Sequence, residues 1–234
     1  MSAKHLSSQF DADLNLISSK VLEMGGLAEA QITNAMHALN TFDLDAADQV
    51  IAAELRLNAM EIEIDEECTN IIARRQPAAR DLRLLLAILK TITNLERAGD
   101  EAERIAKSVK RLREDAAGRT VNIAEIKISG EMAVSILRRV LDAFARLDTV
   151  AAAQIVRDDK AIDDEFRAFV RKLVSYMMED PRTISAGLDF LFIAKAIERI
   201  GYHAKNIAEF IIYIVKGTDV RHLSRDALER EALS

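Results

Sequence analysis

The stretch ERAGDEAERIA, residues 96–106, returns as ERIGYHAKNIA at residues 198–208. The two copies lie 102 positions apart (198 − 96) and share six of their eleven residues. Both copies lie within long helical patterns, and each is expected to place an acidic side chain on the buried side of its helix. A helix does not need a buried acid for its fold, so the stretch predicts a duplicated helical unit with a chemical role.

The duplication extends upstream of these two stretches. Gln49-Val50-Ile51 matches Gln154-Ile155-Val156 at an offset of 105 (154 − 49), and Pro77 matches Pro181 at an offset of 104 (181 − 77). Two copies of one unit explain these nearly constant offsets. We expect the best break between them at 116–120, which divides the chain into repeats 1–117 and 118–234, the second with a polar C-terminal tail.

Apolar residues recur at three- and four-residue steps through most of the chain, the period of amphipathic helices. Asp45 and Asp148 are expected to cap the second and fifth helices, and Gly25-Gly26 to interrupt and kink the first. No sustained alternation predicts a strand. The fold class is therefore all-α: two tandem up-down-up three-helix bundles. Six long helices are expected: the first begins at Ser7 or Ser8 and ends near 40–43, the fifth runs from Asp148 to the turn at Pro181, and the others span about 45–75, 79–113, 123–147 and 183–216. One short helix is expected in the tail.

The composition favours a soluble helical protein. Half of the 234 residues are apolar, 30% are charged, and only 8 Gly and 2 Pro are present. The net charge of −6 argues against a nucleic-acid partner, whose protein surface is usually basic. No run approaches the roughly 20 apolar residues of a membrane-spanning helix. With no expected signal peptide, and with Cys68 as a lone small core residue, we expect a cytoplasmic protein.

Acidic residues, interspersed with a few neutral polar residues, follow one face of four helices. Their steps of three and four residues place them side by side on the helix surface. These residues are Glu54, Asn58, Glu61 and Asp65 on the second helix, Glu96, Asp100 and Glu103 on the third, Asp159 and Asp163 on the fifth, and Glu198 with Tyr202 and Asn206 on the sixth.

Two interpretations of these acids stand open. Carboxylates that converge near a bundle seam repel one another, and a bound cation relieves that repulsion. The other interpretation is a solvated acidic face with inter-helix salt bridges. Gly99 and Gly201 indicate that another group comes close at both places, because a glycine inside a helix costs roughly 1 kcal/mol. Ordinary helix packing explains them equally well. His203, which replaces Glu101, is expected to be a surface or secondary residue rather than a catalytic base.

With Glu96-Arg97-x-Gly99-Asp100 and Glu198-Arg199-x-Gly201 inside two three-helix repeats, the chain resembles the PhoU family. Further segments carry the resemblance over nearly the whole chain: Arg75-Gln76-Pro77, Asp81-Leu82-Arg83, Leu141–Ala145, Tyr176–Pro181 and Val215-Lys216-Gly217. The resemblance implies a dimeric all-α protein without catalytic activity. It also implies a negative regulator, or repressor, in phosphate-starvation signal transduction and phosphate transport. Such a regulator acts between the ATPase subunit of a phosphate ABC transporter and a sensor histidine kinase, and reaches the membrane through those partners only.

The family also has a recurrent metal motif, E/D-x-x-x-D. Glu96 with Asp100 and Asp159 with Asp163 match it, whereas Glu54 is followed by Asn58 and Glu198 by Tyr202. The resemblance implies a first metal site at Glu54, Asn58, Glu96 and Asp100, and a second at Asp159, Asp163 and Glu198. The metal could be Mg, Mn, Fe or Zn. The alternative function is a metal-binding carboxylate bundle that stores or oxidises metal, although no Glu-x-x-His pair of the di-iron type is present.

Overall fold

A computed structural model describes residues 8–114 and 121–234, and the break expected at 116–120 lies outside them. Within the described residues the chain is helical and has no strand, as predicted. A 3-10 turn, Pro181–Thr183, precedes the sixth helix. The helices are α1 Ser8–Thr41, α2 Leu44–Arg75, α3 Ala79–Glu114, α4 Ala124–Arg146, α5 Thr149–Glu179, α6 Ile184–Lys216 and α7 Arg225–Leu233.

Aspartate side chains cap the N-termini of α2 and α5. The side chain of Asp148 accepts a hydrogen bond from the Ala151 backbone N–H and caps α5, as predicted. The prediction for α2 was wrong by two residues: Asp43, not Asp45, caps the helix by accepting from the backbone N–H groups of Asp45 and Ala46. Asp45 lies in the first turn, where a negative charge favours the helix dipole.

The two repeats pack as a pair around their third helices. α1 and α2 pack against α3, α4 and α5 pack against α6, and α3 forms with α6 the most extensive interface in the described chain. α3 and α6 run antiparallel, since Lys90 lies against Phe210 while Arg111 pairs with Asp189. Buried apolar side chains from all six long helices form one continuous core, which includes Cys68 as predicted.

A second contact between the repeats shows their internal symmetry. At the crossing of α1 and α4, a Cβ added to Gly25 would lie 2.2 Å from Leu141 Cδ2, and one added to Gly130 would lie 2.2 Å from Met36 Cε. Gly130 follows Gly25 by 105 residues, and Leu141 follows Met36 by 105. The same contact is therefore made twice with the partners exchanged. Gly25 and Gly26 do not interrupt α1, contrary to the expectation, because Gly25 serves this close crossing instead.

Candidate metal centre

Three carboxylates of the first repeat converge between α2 and α3. Glu54 lies on α2, Glu96 and Asp100 lie on α3, and oxygen atoms of the three lie within 4.8 Å of one another. Of the described residues, these three form the only group of His, Cys, Asp or Glu side chains with that spacing. Helical steps of four residues place Glu96 and Asp100 on one face of α3, and the antiparallel packing of α2 brings Glu54 opposite them.

Glu54 is held in place from α1. The side-chain amide of Gln31 donates to Glu54 Oε2 over 2.8 Å and to the backbone carbonyl of Val50 over 3.2 Å. Gln31 and Glu54 are both buried, at 3% and 7% exposure. The other oxygen, Glu54 Oε1, has no hydrogen-bond partner, and neither has the buried Asn58 Oδ1 one turn along α2. Two buried oxygen acceptors without a donor are costly unless a ligand satisfies them.

Gly99 allows the two helices to meet at this point. A Cβ at this position would lie 2.2 Å from Leu57 Cδ2 and 3.2 Å from Glu54 Oε2. The glycine thus leaves room for the Glu54 carboxylate and for the core leucine beside it. The close approach that the sequence indicated is present, and it occurs at the carboxylates.

Charge repulsion and burial disturb the protonation of this cluster. Burial is the main cause that raises the pKa of Glu96 to about 7, with further contributions from Asp100, Glu61 and Glu54. Burial also raises the pKa of Glu54, against the hydrogen bond from Gln31. Arg97 only slightly offsets these effects, because its side chain is exposed.

The nearest other charges do not neutralise the cluster. Lys107 pairs with Glu103 over 2.6 Å, one turn beyond Asp100 on α3. Glu61 accepts a hydrogen bond from the Thr93 hydroxyl over 2.9 Å, and Asp65 lies exposed further along α2. The competing interpretation, a salt-bridged acidic face, therefore applies to Glu103 at one edge of the stripe. Among the described residues, no salt bridge is formed by the three central carboxylates.

The carboxylate side chains of the second repeat are not clustered in the same way. Asp159 is buried at 7% exposure, and burial followed by the Asp163 charge raises its pKa to about 6. A Cβ at Gly201 would lie 3.0 Å from Asp159 Oδ1, as the equivalent one at Gly99 would lie near Glu54. However, Asp159, Asp163 and Glu198 do not form a cluster of the kind found in the first repeat. Tyr202 is 47% exposed at the position of Asp100.

Several residues near the centre were not expected from the sequence. Gln31 lies on α1, and the carboxylate pattern did not include that helix. The only feature of the sequence that could have indicated Gln31 is a polar side chain among the apolar residues on the buried face of α1. His203 was expected at the surface but is fully buried between α3 and α6. Glu101, its counterpart, is also buried and pairs with Arg104 and Arg199.

The donor set fits a hard cation. Carboxylate and amide oxygens are the ligands that Mg²⁺ and Mn²⁺ prefer. A cation would satisfy Glu54 Oε1 and Asn58 Oδ1 and offset the repulsion between the three acids. Within the described residues no histidine lies in the cluster, so the storage or oxidation alternative gains no support. No helix in the described ranges is both long enough and apolar enough to cross a membrane.

Comparisons with known proteins point to one family. The family model of the PhoU domain matches twice, at residues 21–109 and 126–211. A Burkholderia sp protein named phosphate-specific transport system accessory protein PhoU homolog is 59% identical over 231 residues, covering 98% of each chain. The phosphate-specific transport system accessory protein PhoU of Escherichia coli (strain K12) is 45% identical, covering 97% of this chain and 93% of that protein.

Solved structures agree with the sequence matches. The crystal structure of PhoU from Pseudomonas aeruginosa aligns with a TM-score of 0.87 at 44% identity, covering 89% of this chain and all of that one. The phosphate transport system regulatory protein PhoU from Streptococcus pneumoniae aligns with a TM-score of 0.84 at 27% identity, covering 90% and 99%. Both alignments span the two bundles.

Proposed function

The chain belongs to the PhoU family, and from this membership we propose that it is a regulatory accessory protein of phosphate uptake. In this role it represses the phosphate-starvation response when phosphate is plentiful. It works as a non-enzymatic, cytoplasmic adaptor between the ATPase subunit of a phosphate ABC transporter and a sensor histidine kinase. The observation that carries the proposal is the 59% identity over 98% of the chain to a named phosphate-transport accessory protein.

Co-capture from cells tests the adaptor role. The tagged chain, produced at its natural level in cells grown at high phosphate, should retain both the transporter ATPase and the kinase after crosslinking. Capture of the two partners should fall when phosphate is withdrawn. Capture of neither partner at high phosphate would contradict the adaptor role. The proposal includes a homodimer, so sedimentation should give twice the mass of one chain.

We further propose that the first repeat binds one divalent cation at Glu54, Asn58, Glu96 and Asp100. The unpartnered Glu54 Oε1 and Asn58 Oδ1 support this proposal, together with the three carboxylates within 4.8 Å. When bound, the cation supplies a fixed positive charge between α2 and α3. It thereby stabilises the packing of the two helices without taking part in a reaction.

A measurement of metal binding distinguishes this proposal from a cluster of acids with a purely structural role. Titration with Mn²⁺, followed by its electron paramagnetic resonance, should show saturable binding that Glu96→Gln and Asp100→Asn abolish. Glu66→Gln, an exposed acid on α2, removes the same charge outside the cluster and should leave binding unchanged. Equal binding by all variants would remove the first-repeat site from the proposal.

A further inference from the structure

Two lysines of the second repeat lie beside its carboxylates at positions where the first repeat has no cation. At the offset of 102, Lys195 corresponds to Thr93 and Lys205 corresponds to Glu103. The charge order of one pair is reversed as well. Glu103 pairs with Lys107 on α3, whereas the equivalent positions on α6 are Lys205 and Glu209.

Lys195 neutralises Glu198, which is the counterpart of Glu96. Its ammonium lies 2.5 Å from Glu198 Oε2, and this contact is an ion pair without hydrogen-bond geometry, because the buried oxygen has no hydrogen-bond partner. In the first repeat, the Thr93 hydroxyl donates to Glu61 and gives Glu96 no positive charge. The two equivalent glutamates therefore differ in charge pairing as well as in the Tyr202 that replaces Asp100: Glu198 has a cation from its own helix, and among the described residues Glu96 has none.

Lys205 lies one helical turn beyond the point where Asp159 reaches α6. That point is Gly201, where an added Cβ would lie 3.0 Å from Asp159 Oδ1. A step of four residues keeps Lys205 on the same face of α6 as Gly201. Its Nζ also lies 5.9 Å from the ring centre of Tyr202, the residue that replaces Asp100. Burial and then the Asp163 charge raise the pKa of Asp159, and the positive charge of Lys205 partly opposes them.

We infer that Lys195 and Lys205 determine where the protein binds metal, because their ammonium groups supply the positive charge of the second-repeat site and exclude a metal cation from it. The inference rests on the proposed cation site of the first repeat, which has the same backbone plan without these lysines. The first repeat thus binds a metal cation from solution, whereas in the second repeat the lysine ammonium groups supply the positive charge.

The test isolates the second repeat in the full-length chain. Glu96→Gln and Asp100→Asn first abolish metal binding in the first repeat. Tyr202→Asp then adds to the second repeat the carboxylate that corresponds to Asp100. In this background, Mn²⁺ binding is compared with and without Lys195→Thr and Lys205→Gln, which remove both ammonium groups and add no carboxylate. We expect no saturable binding while the lysines are present and one Mn²⁺ per chain after their removal.

A matched control replaces Lys127 and Lys216 by Gln in the same background. Lys216 lies eleven residues beyond Lys205, about 16 Å along the helix, and Lys127 lies exposed on α4. This control changes the net charge equally and should bind no Mn²⁺. Binding by the control, or by the variant that keeps all lysines, would overturn the inference. No binding after removal of Lys195 and Lys205 would overturn it too.

The unaltered chain gives a second measurement that needs no substitution. One Mn²⁺ per chain agrees with the inference, and two per chain overturn it. If the unaltered chain binds none while the variant without Lys195 and Lys205 binds one, the cation site of the first repeat fails and the role of the lysines stands. Circular dichroism melting of each variant confirms that the compared chains are folded.

Discussion

The Nδ1 atom of His203 lies 3.0 Å from the side-chain Oδ1 of Asn94, and this contact fixes the protonation of a fully buried histidine between α3 and α6. Asn94 donates through Nδ2 to the Lys90 carbonyl, and its Oδ1 also accepts from Asn206. Because Asn94 Oδ1 can only accept, His203 Nδ1 must carry the proton. The buried Nε2 then has no partner.

A pH dependence of stability follows from this contact. Burial, followed by Arg199 on α6 and Arg97 and Arg104 on α3, lowers the pKa of His203 to about 4. The unfolded chain takes up this proton near pH 6.5, whereas the folded chain does so only near pH 4. The contribution of His203 to stability is therefore complete above pH 6.5 and is lost as the pH falls towards 4, by roughly 1 to 3 kcal/mol.

Denaturant unfolding of the parent chain and of His203→Asn, between pH 7.5 and 4, checks this dependence. As the pH falls, the parent chain should lose free energy of unfolding relative to His203→Asn. His37→Asn, which removes an exposed histidine from α1, is the matched control for the substitution itself. A stability difference for His203→Asn that does not change with pH would contradict the assignment.

Glu101 should be the acid whose loss most weakens the pairing of α3 with α6. It is 3% exposed and accepts from Arg104 over 2.8 Å and from Arg199 over 2.7 Å. Glu101→Gln should lower the free energy of unfolding by about 1 to 3 kcal/mol, because a buried charge-assisted hydrogen bond across the interface is lost. Asp164→Asn, which breaks an exposed pair with Arg167, should change it by less than about 0.5 kcal/mol.

Gly99→Ala and Gly26→Ala should have opposite effects on stability. A Cβ at Gly99 would overlap Leu57 Cδ2 at 2.2 Å and crowd Gln31 Oε1 at 3.0 Å, whereas nothing lies within 4 Å of one at Gly26. Overpacking at Gly99 should cost about 1 to 3 kcal/mol, which exceeds the gain in helix propensity. Gly26→Ala should gain up to about 1 kcal/mol. Equal melting-temperature shifts for both would contradict the close approach at Gly99.

Gln31→Leu should weaken both stability and cation binding. Glu54 Oε2 would lose its hydrogen bond from the Gln31 amide, and the carboxylate would no longer be held towards Glu96 and Asp100. We expect a loss of about 1 to 3 kcal/mol in unfolding free energy and a weaker Mn²⁺ affinity. Gln49→Leu, an exposed residue on α2, serves as the control for both measurements. Unchanged affinity in Gln31→Leu would show that Gln31 does not position Glu54.

The fold was largely predictable because its periodicity is local information. Helix bounds followed from the spacing of apolar residues, and the repeat followed from the return of Glu96–Ala106 as Glu198–Ala208. The pairing of α3 with α6 could not be read in the same way. Spacing on one helix shows which face is apolar but not which distant helix covers it, and for that reason His203 was misplaced at the surface.

The candidate site was predictable only in part, for the same reason. The steps between Glu54 and Asn58 and between Glu96 and Asp100 lie within single helices, so the faces of these residues could be derived from the sequence. Gln31 comes from a third helix, and only the three-dimensional packing brings it to Glu54. The roles of Lys195 and Lys205 become visible only when the two repeats are compared position by position.

Deletion of the gene from its host shows whether the protein represses the phosphate-starvation response. Transcription of the phosphate-starvation genes is measured at high phosphate with and without the protein. We predict that these genes become active when the protein is absent and silent again when it is restored. Starvation genes that stay silent at high phosphate without the protein would contradict the proposed regulatory role.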